Sequence, residues 1–412
     1  MKKGKHSSGN ARDISNSRDI YSNSQNVSRD IYSSTKRKKK KRGFDKFLRV
    51  FFVIETLILI ACIIYIGTMQ LLPASYIVAL VIIVALFCGM QMFLKLKKSR
   101  RGLRRVLSLI LSVVMLCVTF YCVGMLGVIH DSVKTVTGDD LEVAPNAAKV
   151  AEEPFIVYLS GSDTRNYSEI PEKGLSDVNM VVAVDPVNHK MLMINTPRDY
   201  YVALYGDSNK MDKLTHAGNF GVECSMQTLE ALYDIEFNYY AKINFKSVVD
   251  IVDALGGIKV NSELAFSSRH SLSEKTYSFV VGENELNGDA ALAFVRERES
   301  FAAGDRQRGK NQQLVISAIV DKAISPAILN ISKFKEVLSA VTSNTKTNIS
   351  SDAITALFRM QLADMSGWDI QSISVDGTGS SRSTYTVSSR VYVMIPDEET
   401  VNEAKTALAA YK

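Results

Sequence analysis

The chain has 412 residues, 46% of them hydrophobic, with a formal net charge of +6 at pH 7. The charge is unevenly distributed, because residues 1–46 carry +10 and residues 95–105 carry +7, which leaves about −11 for the rest. A folded part with that balance does not bind nucleic acid through its overall field. Any arginine cluster in it must therefore act as a local site.

The first 129 residues have the pattern of a membrane protein. Residues 1–46 are rich in Ser and Asn and repeat Ser-Arg-Asp-Ile-Tyr-Ser from Ser17 and Ser28, which is typical of a disordered, here basic, tail. Three apolar runs follow within residues 47–129, at about 48–69, 76–94 and 106–129. Each is close to the twenty residues that a bilayer crossing needs, so we predict three transmembrane helices.

Charge asymmetry predicts the orientation of these helices. Seven basic residues stand between the second and third runs, whereas the turn near Pro73 has none. The positive-inside rule then predicts a multi-pass protein of the cell membrane with a cytoplasmic N-terminus and an extracellular C-terminal part. Outside, Cys224 is alone, so no disulfide framework can form there. For Glu55, in the first run, we expect interfacial pairing or packing among the helices rather than a functional site.

Residues 130–152 have the composition of a linker, and residues 153–412 have the length of one globular domain. Strands alternate with helices in this domain, which predicts an α/β fold with a mixed β-sheet covered by helices on both faces. The predicted strands are 155–159, 178–184, 191–195, 239–243, 257–260 and 370–375. The predicted helices are 222–233, 245–255, 288–294, 306–324, 331–341, 353–362 and 398–409.

Basic side chains are concentrated between Phe294 and Gln313. If Phe294 to Arg298 is extended, Arg296 and Arg298 point the same way and form a two-guanidinium fork suited to phosphate oxygens. If a helix starts near Asp305, its spacing places Asp305, Arg308 and Gln312 on one stripe. The alternative is a solvated charge run at a helix end.

Carboxylates stand at the ends of two predicted neighbouring strands. Asp163 follows the first strand and Asp177 opens the second, so the pair has the chemistry of a magnesium site beside phosphate. Arg198 follows a strand ended by Pro197 at the same edge, where ligands of α/β sheets gather. Taken singly, the aspartates are equally typical of turns, and Arg198 with Asp199 of a surface ion pair.

Other catalytic patterns have little support. His216 has no second histidine at ligand spacing, so we expect a structural hydrogen-bonding role for it. A nucleophile elbow and Walker or dinucleotide loops are absent from the sequence. Phe220, Tyr239, Phe245, Leu292 and Val315 are candidates for lining an apolar groove, but their spacing is equally that of ordinary core residues.

From about residue 153 to 325, the sequence resembles the LytR-CpsA-Psr (LCP) family of Gram-positive envelope proteins. The matching blocks, in order, are Ser160-Gly-Ser-Asp-Thr164, Ser176-Asp-Val-Asn179, Thr196-Pro-Arg-Asp199, Asp212-Lys-Leu-Thr-His-Ala217, Leu255-Gly-Gly-Ile258, Phe294-Val-Arg-Glu-Arg298, Gly304-Asp-Arg-Gln-Arg308 and Asn311-Gln-Gln313. The resemblance implies a phosphotransferase that moves a glycopolymer, such as a teichoic acid or capsular polysaccharide, from polyprenyl diphosphate to peptidoglycan.

The same resemblance implies roles for individual residues. Asp163 and Asp177 would hold Mg²⁺, or Mn²⁺ in its place. The diphosphate would be bound by four arginines, supported by an acid and an amide: Arg198, Arg296, Arg298, Arg308, Asp305 and Gln312. The sequence departs from capsule-type members at Leu175, where these often have arginine, so that Arg165 or Lys173 would have to substitute if a further cation is needed.

These expectations name the partners: the polyprenyl-diphosphate-linked glycopolymer, the peptidoglycan acceptor and membrane lipid, with no nucleic acid for the folded domain. The polymer, the oligomeric state and the group that takes the acceptor proton stay open, with Asp305 and a metal-bound water as candidates for the last. Two other functions fit the sequence: a membrane-anchored envelope regulator, and a module that only hydrolyses or binds polyprenyl diphosphate.

Overall fold

The computed structural model describes residues 46–96, 101–136, 149–162, 170–206, 209–302, 304–325 and 331–412. The chain divides into two compact units. The first comprises the described residues up to 65 together with 79–121, and the second comprises 66–78 together with the described residues from 122 to 412.

Three long apolar helices are present, as the sequence predicts. They are α1 (Lys46–Thr68), α2 (Ala74–Leu96) and α3 (Arg101–Val136), and each is long and apolar enough to cross a membrane. Helix α3 continues beyond the predicted third crossing as far as Val136, so the first part of the predicted linker is helical.

Glu55 lies in a polar cluster inside the first unit. Its side chain is 1% exposed, and its Oε2 accepts a hydrogen bond of 2.7 Å from Ser112 Oγ of α3. Gln91 of α2 donates through Nε2 to the same hydroxyl at 3.2 Å. Glu55 therefore packs among the helices, one of its two expected roles, and hydrogen bonds in an apolar setting link α1, α2 and α3.

The second unit contains fourteen short strands and eight further helices among its described residues. The strands are β1 (Phe155–Ser162), β2 (Val178–Asp185), β3 (Lys190–Thr196), β4 (Tyr201–Ala203), β5 (Met211–Lys213), β6 (Tyr239–Asn244), β7 (Ile258–Ser262), β8 (Phe266–Ser268), β9 (Tyr277–Phe279), β10 (Gly282–Leu286), β11 (Thr345–Thr347), β12 (Asp369–Ser374), β13 (Gly377–Arg382) and β14 (Val391–Pro396). The helices are α4 (Leu214–Ala217), α5 (Val222–Tyr233), α6 (Phe245–Ala254), α7 (Gly288–Arg296), α8 (Asp305–Ile324), α9 (Ile331–Ser343), α10 (Ser351–Asp364) and α11 (Glu398–Leu408), and a 3-10 turn, Ala409–Tyr411, follows.

The central sheet has six strands in the order β11-β6-β1-β2-β3-β12. Strands β1, β2 and β3 are antiparallel neighbours, whereas β6 pairs with β1 and β12 with β3 in parallel, so the sheet is mixed as predicted. The β1–β2 register places Gly161 opposite Val178, and the amide of Asp177 donates to the carbonyl of Gly161 at 2.8 Å. Chain positions 162 and 177 therefore lie side by side at one edge of the sheet.

Alternation along the strands gives the sheet two apolar faces. Tyr158 and Ile194 lie on one face in a core that includes Leu229 of α5 and Leu408 of α11. Met180 and Met193 lie on the other face against Ile316 of α8. Helices thus cover both faces, which confirms the predicted architecture.

A second core lies between α6, α7, α8 and the small sheets formed by β7 with β10 and β8 with β9. Phe294 of α7 is fully buried there, with its ring 5.1 Å from that of Phe266 and 5.0 Å from that of Phe279. These aromatic contacts fix the C-terminal end of α7, where the arginine-rich segment begins.

Candidate active site

A cavity of about 220 Å³ lies at this edge of the central sheet. It is formed where β2 begins, where β3 ends, at the C-terminus of α7 and at the N-terminus of α8. Its lining consists of Asp177, Val178, Arg198, Phe245, His270, Val295, Arg296, Arg298, Glu299, Arg308 and Gln312. Two wider grooves beside α6, of about 580 and 850 Å³, have no arginine among the described residues that line them.

Arg198 lies between two carboxylates. Its NH1 is 2.7 Å from Asp177 Oδ1, and its Nε is 3.3 Å from Asp305 Oδ2. Burial alone would lower the pKa of Arg198, but Asp177, Asp305 and Asp199 raise it above the ordinary value. The guanidinium is therefore a permanent, well-oriented cation on the cavity wall.

The Arg296 and Arg298 fork forms in a different way from the one predicted. Phe294 to Arg298 is not extended throughout, because α7 continues to Arg296, and Glu297 after it has extended dihedral angles, with φ −64° and ψ 131°. The Glu297 side chain is 3% exposed, whereas both arginines line the cavity. The Arg296 guanidinium lies 4.6 Å from the centre of the Phe245 ring.

Helix α8 begins at Asp305, one residue before the predicted start, after Gly304 with a positive φ of 48°. Arg308 and Gln312 line the cavity one turn apart, and Arg308 NH2 is 3.4 Å from Asp305 Oδ2. Burial is the main cause that lowers the pKa of Arg308, and Arg198 and Arg298 act in the same direction. An arginine stays charged even so, and Asp305 is the shared counter-ion of Arg198 and Arg308.

The predicted metal pair is only partly described. Asp177 lies on the cavity wall with its side chain 15% exposed, and Asp163 falls outside the described residues. Among the described residues, no group of three or more His, Cys, Asp or Glu side chains is arranged to hold a metal ion. Mg²⁺ takes few protein ligands, and the hard oxygens of Asp177 beside the end of β1 have the chemistry that it prefers.

Lys173 and Arg165 are the two basic residues that would have to substitute for an arginine at position 175. Leu175 itself is 49% exposed. Lys173 is exposed and is not among the described residues that line the cavity, and Arg165 lies outside the described residues. The described cavity thus has four arginines and no lysine.

His216 is part of a structural hydrogen-bond network. Its Nδ1 lies 2.6 Å from Asp212 Oδ1 and 2.8 Å from Thr386 Oγ1, while the amide of Thr386 donates to Asp212 Oδ2 at 2.8 Å. This arrangement ties α4 to the loop between β13 and β14, in line with the expected role. Of the candidate groove residues, Tyr239, Leu292 and Val315 are buried in the core, and Phe245 lines the cavity.

Sequence reasoning missed His270 and Glu299 in the cavity wall. Glu299 stands within the arginine-rich segment, so its position was detectable. His270 belongs to the segment between β8 and β9, and no spacing relates it to the arginines. It reaches the cavity through tertiary contacts of its segment with α7.

Fold and cavity define a class: an α/β protein with three candidate membrane helices and an arginine-lined cavity at a sheet edge. The family model described as the LytR_cpsA_psr family matches residues 128–410. The chain belongs to the LytR_cpsA_psr family.

Individual relatives match part of this chain. The chain is 37% identical over 216 residues to the polyisoprenyl-teichoic acid–peptidoglycan teichoic acid transferase TagU of Bacillus mycoides, which covers 52% of this chain and 66% of that protein. It thus spans just under two thirds of this relative's length. The crystal structure of B. subtilis TagV superimposes with a TM-score of 0.52 at 27% identity, covering 63% of this chain and 97% of that chain. A structure of TagT bound to LIIa-WTA gives a TM-score of 0.50 at 26% identity, covering 66% and 96%.

Proposed function

We propose that the chain is a phosphotransferase that moves an anionic glycopolymer, of the teichoic acid or capsular type, from polyprenyl diphosphate to peptidoglycan. The observation that carries this proposal is the convergence of Arg198, Arg296, Arg298 and Arg308 on one cavity with Asp177. Planar guanidinium groups match the oxygens of a diphosphate. Four guanidinium groups offer more hydrogen-bond donors and more positive charge than a single phosphate can use. The name of the relative TagU and the ligand of TagT support the teichoic acid class.

The reaction is a displacement at phosphorus. The acceptor sugar hydroxyl attacks the phosphorus atom that bears the polymer, and the bond from that phosphorus to the bridging oxygen breaks. The electron pair leaves on polyprenyl phosphate. Arg296 and Arg298 bind the diphosphate from the α7 side, and Arg198 and Arg308 neutralise the charge that develops on the leaving oxygen. Asp305 keeps the latter two guanidinium groups in place, and Gln312 donates from the same helix face.

Mg²⁺, or Mn²⁺ in its place, would be held by Asp177 together with Asp163 and would neutralise part of the diphosphate charge when bound. Asp177 has a second role in this proposal. Its ion pair with Arg198, at 2.7 Å, positions that arginine beside the diphosphate.

The domain is proposed to act outside the membrane. The seven basic residues at positions 95–105 favour a cytoplasmic position for that segment and for residues 1–46. Protease added to intact protoplasts should then remove a C-terminal tag and leave an N-terminal tag. The reverse protection pattern would reject this orientation.

A transfer assay tests the function with the full chain in lipid vesicles. The donor is a teichoic acid linked to polyprenyl diphosphate, the acceptor is peptidoglycan, and Mg²⁺ is present. We expect polymer–peptidoglycan and polyprenyl phosphate in equal amounts, with little lipid release when the acceptor is omitted. EDTA should suppress transfer, and added Mg²⁺ should restore it. Lipid release that does not depend on the acceptor would identify a hydrolase instead.

Arg298→Ala should lower the transfer rate at least ~100-fold, because it removes a preorganised cation from the transition state. Arg306→Ala is the matched control. Arg306 belongs to the same basic segment, yet its NH2 is 2.6 Å from Asp376 Oδ1, and it does not line the cavity. The control variant should keep its rate within about threefold, since a half-exposed ion pair contributes little.

A further inference from the structure

His270 forms part of the wall of the arginine cavity. Its segment is anchored to α7 at both ends of that helix. At the N-terminus, Asp289 accepts hydrogen bonds from the amide of Leu272 at 2.7 Å and from Tyr277 Oη at 2.9 Å. At the C-terminus, Arg296 NH1 donates to the His270 carbonyl oxygen at 3.4 Å. The imidazole is 39% exposed, so it is held in place and still accessible from the cavity.

Glu297 lies behind this imidazole. Its carboxylate is buried, its Oε1 accepts a hydrogen bond of 2.9 Å from the amide of Ser300, and its Oε2 is 3.9 Å from His270 Nε2. Burial alone would raise the pKa of Glu297, but hydrogen bonds from Ser300 and Ser268 and the nearby His270 lower it. A carboxylate therefore faces Nε2 of the imidazole, and Nδ1 is the ring nitrogen on the other side of the ring from Glu297.

The other charged groups in and beside this cavity are paired with arginine, unable to accept a proton, or exposed. Asp305 lies between two guanidinium groups, and Asp177 pairs with Arg198. Arginines cannot accept a proton. Glu299 is exposed on the rim, and an exposed carboxylate accepts a proton less readily than imidazole does near neutral pH.

We propose that His270 is the general base of the transfer reaction and that Glu297 positions it; this rests on the phosphotransferase function proposed above. The acceptor O–H gives its proton to the free ring nitrogen of His270 as the oxygen bonds to phosphorus. The bond to the bridging oxygen breaks, and its electron pair leaves on polyprenyl phosphate, so the charges balance. Glu297 stabilises the imidazolium that forms, from its position 3.9 Å from Nε2.

The test uses the full chain in vesicles with the donor and acceptor described above. His270→Ala should lower kcat ~100-fold or more, and added imidazole should restore part of the rate. Retention of polyprenyl diphosphate, followed by native mass spectrometry, should stay within about twofold of the wild-type value, because the arginines remain. If His270 is the base, the acidic limb of the wild-type pH–rate profile should be absent from the profile of His270→Ala.

Glu297→Gln should lower kcat by a smaller factor than His270→Ala does. It should also change the pH at which the rate falls on the acidic side of the profile, as expected for a positioning residue. His189→Asn is the matched control, since His189 also faces a carboxylate, with Nε2 3.5 Å from Asp364 Oδ2, but lies at the turn between β2 and β3. His189 has a φ of 51°, which asparagine tolerates. Its rate should match that of the wild type.

If the wild type transfers polymer and His270→Ala is fully active, the assignment of His270 as the base is overturned. An acidic limb that is unchanged in His270→Ala would overturn it too. Neither result would reject the proposed function. A loss of activity in Glu299→Gln equal to that of His270→Ala would overturn the base assignment as well. Absence of transfer by the wild type would instead reject the proposed function. Far-UV circular dichroism checks that each variant is folded, because the ring of His189 lies 5.4 Å from that of Trp368 and its replacement would alter tryptophan fluorescence.

Discussion

Asp212 is a buried carboxylate at the centre of the network that joins α4 to the β13–β14 loop. Three groups hydrogen-bond to it: His216, the amide of Thr386 and the amide of Lys213. Burial alone would raise the pKa of Asp212, but these hydrogen bonds lower it from its ordinary 3.8 to about 2. The ionised form is therefore favoured by folding, and its stabilising contribution is complete above pH 4 and lost as the pH falls toward 2.

Asp212→Asn should lower the free energy of unfolding by about 2 kcal/mol above pH 4, since a shift of this size corresponds to that energy. The difference from the wild type should shrink between pH 4 and pH 2. Urea unfolding of the full chain in detergent, followed by Trp368 fluorescence, measures it. Asp234→Asn is the control, because Asp234 is exposed and its pairing with Lys412 is screened by water. A difference that stays constant from pH 5 to pH 2 would contradict the assignment.

At the residue scale, a site residue can be predicted from the sequence when it stands close to the end of a strand or helix. Asp177, Arg198 and Arg308 were identified because each stands at the end of a strand or in the first turn of a helix. The structure brings these three together, and their chemical roles stay proposals. His270 was missed because Asp289 and Arg296 hold its loop from another part of the chain. Local patterns contain no signal for such a contact.

Helix α7 carries Arg296, and its position depends on a close approach to α6. The amide of Gly288 donates to Asp253 Oδ1 at 2.7 Å, and a Cβ at Gly288 would lie 2.3 Å from the carbonyl oxygen of Val249. That oxygen belongs to the backbone of α6, so it cannot move without a shift of the helix. Glycine is therefore required where the two helices cross.

Gly288→Ala should lower the free energy of unfolding by about 2–3 kcal/mol, because α7 must move away from α6. Transfer should fall too, since Arg296 moves with the helix. Gly367→Ala is the control, as a Cβ there meets nothing within 4 Å, and its stability should stay within about 0.5 kcal/mol. Chemical denaturation and the transfer assay provide the two readouts. Equal stability of the two variants would show that the α6–α7 contact is not rigid.

At the element scale, long periodic segments were predicted well and short polar strands were not. The bounds of α5, Val222–Tyr233, match the prediction, and those of α8 differ by one residue. Strand β13 has the sequence GTGSSR and lacks any apolar alternation, so only its pairing with β14 makes it a strand. The Phe294–Arg298 prediction was wrong for a related reason, because packing of Phe294 on Phe266 and Phe279 extends α7 to Arg296.

For the whole molecule, the division of charge matches the proposed arrangement. Positive charge concentrates in residues 1–46 and in residues 95–105, where anionic lipid headgroups would bind it. The remainder is acidic, so a polyanionic substrate gains no general attraction from it. We therefore propose that recognition comes from the arginine cavity itself. The sequence alone established this division, because it depends on composition and not on packing.

The most direct measurement is native mass spectrometry of the full chain, released from detergent micelles after incubation with polyprenyl diphosphate and Mg²⁺. We predict one bound polyprenyl diphosphate per chain, lost in the double variant Arg296→Ala, Arg298→Ala and retained in Arg306→Ala. Polyprenyl alcohol, which has the same apolar chain and no phosphate, should not compete. Equal retention of the lipid by the double variant and the wild type would contradict the assignment of the arginine cavity as the diphosphate site.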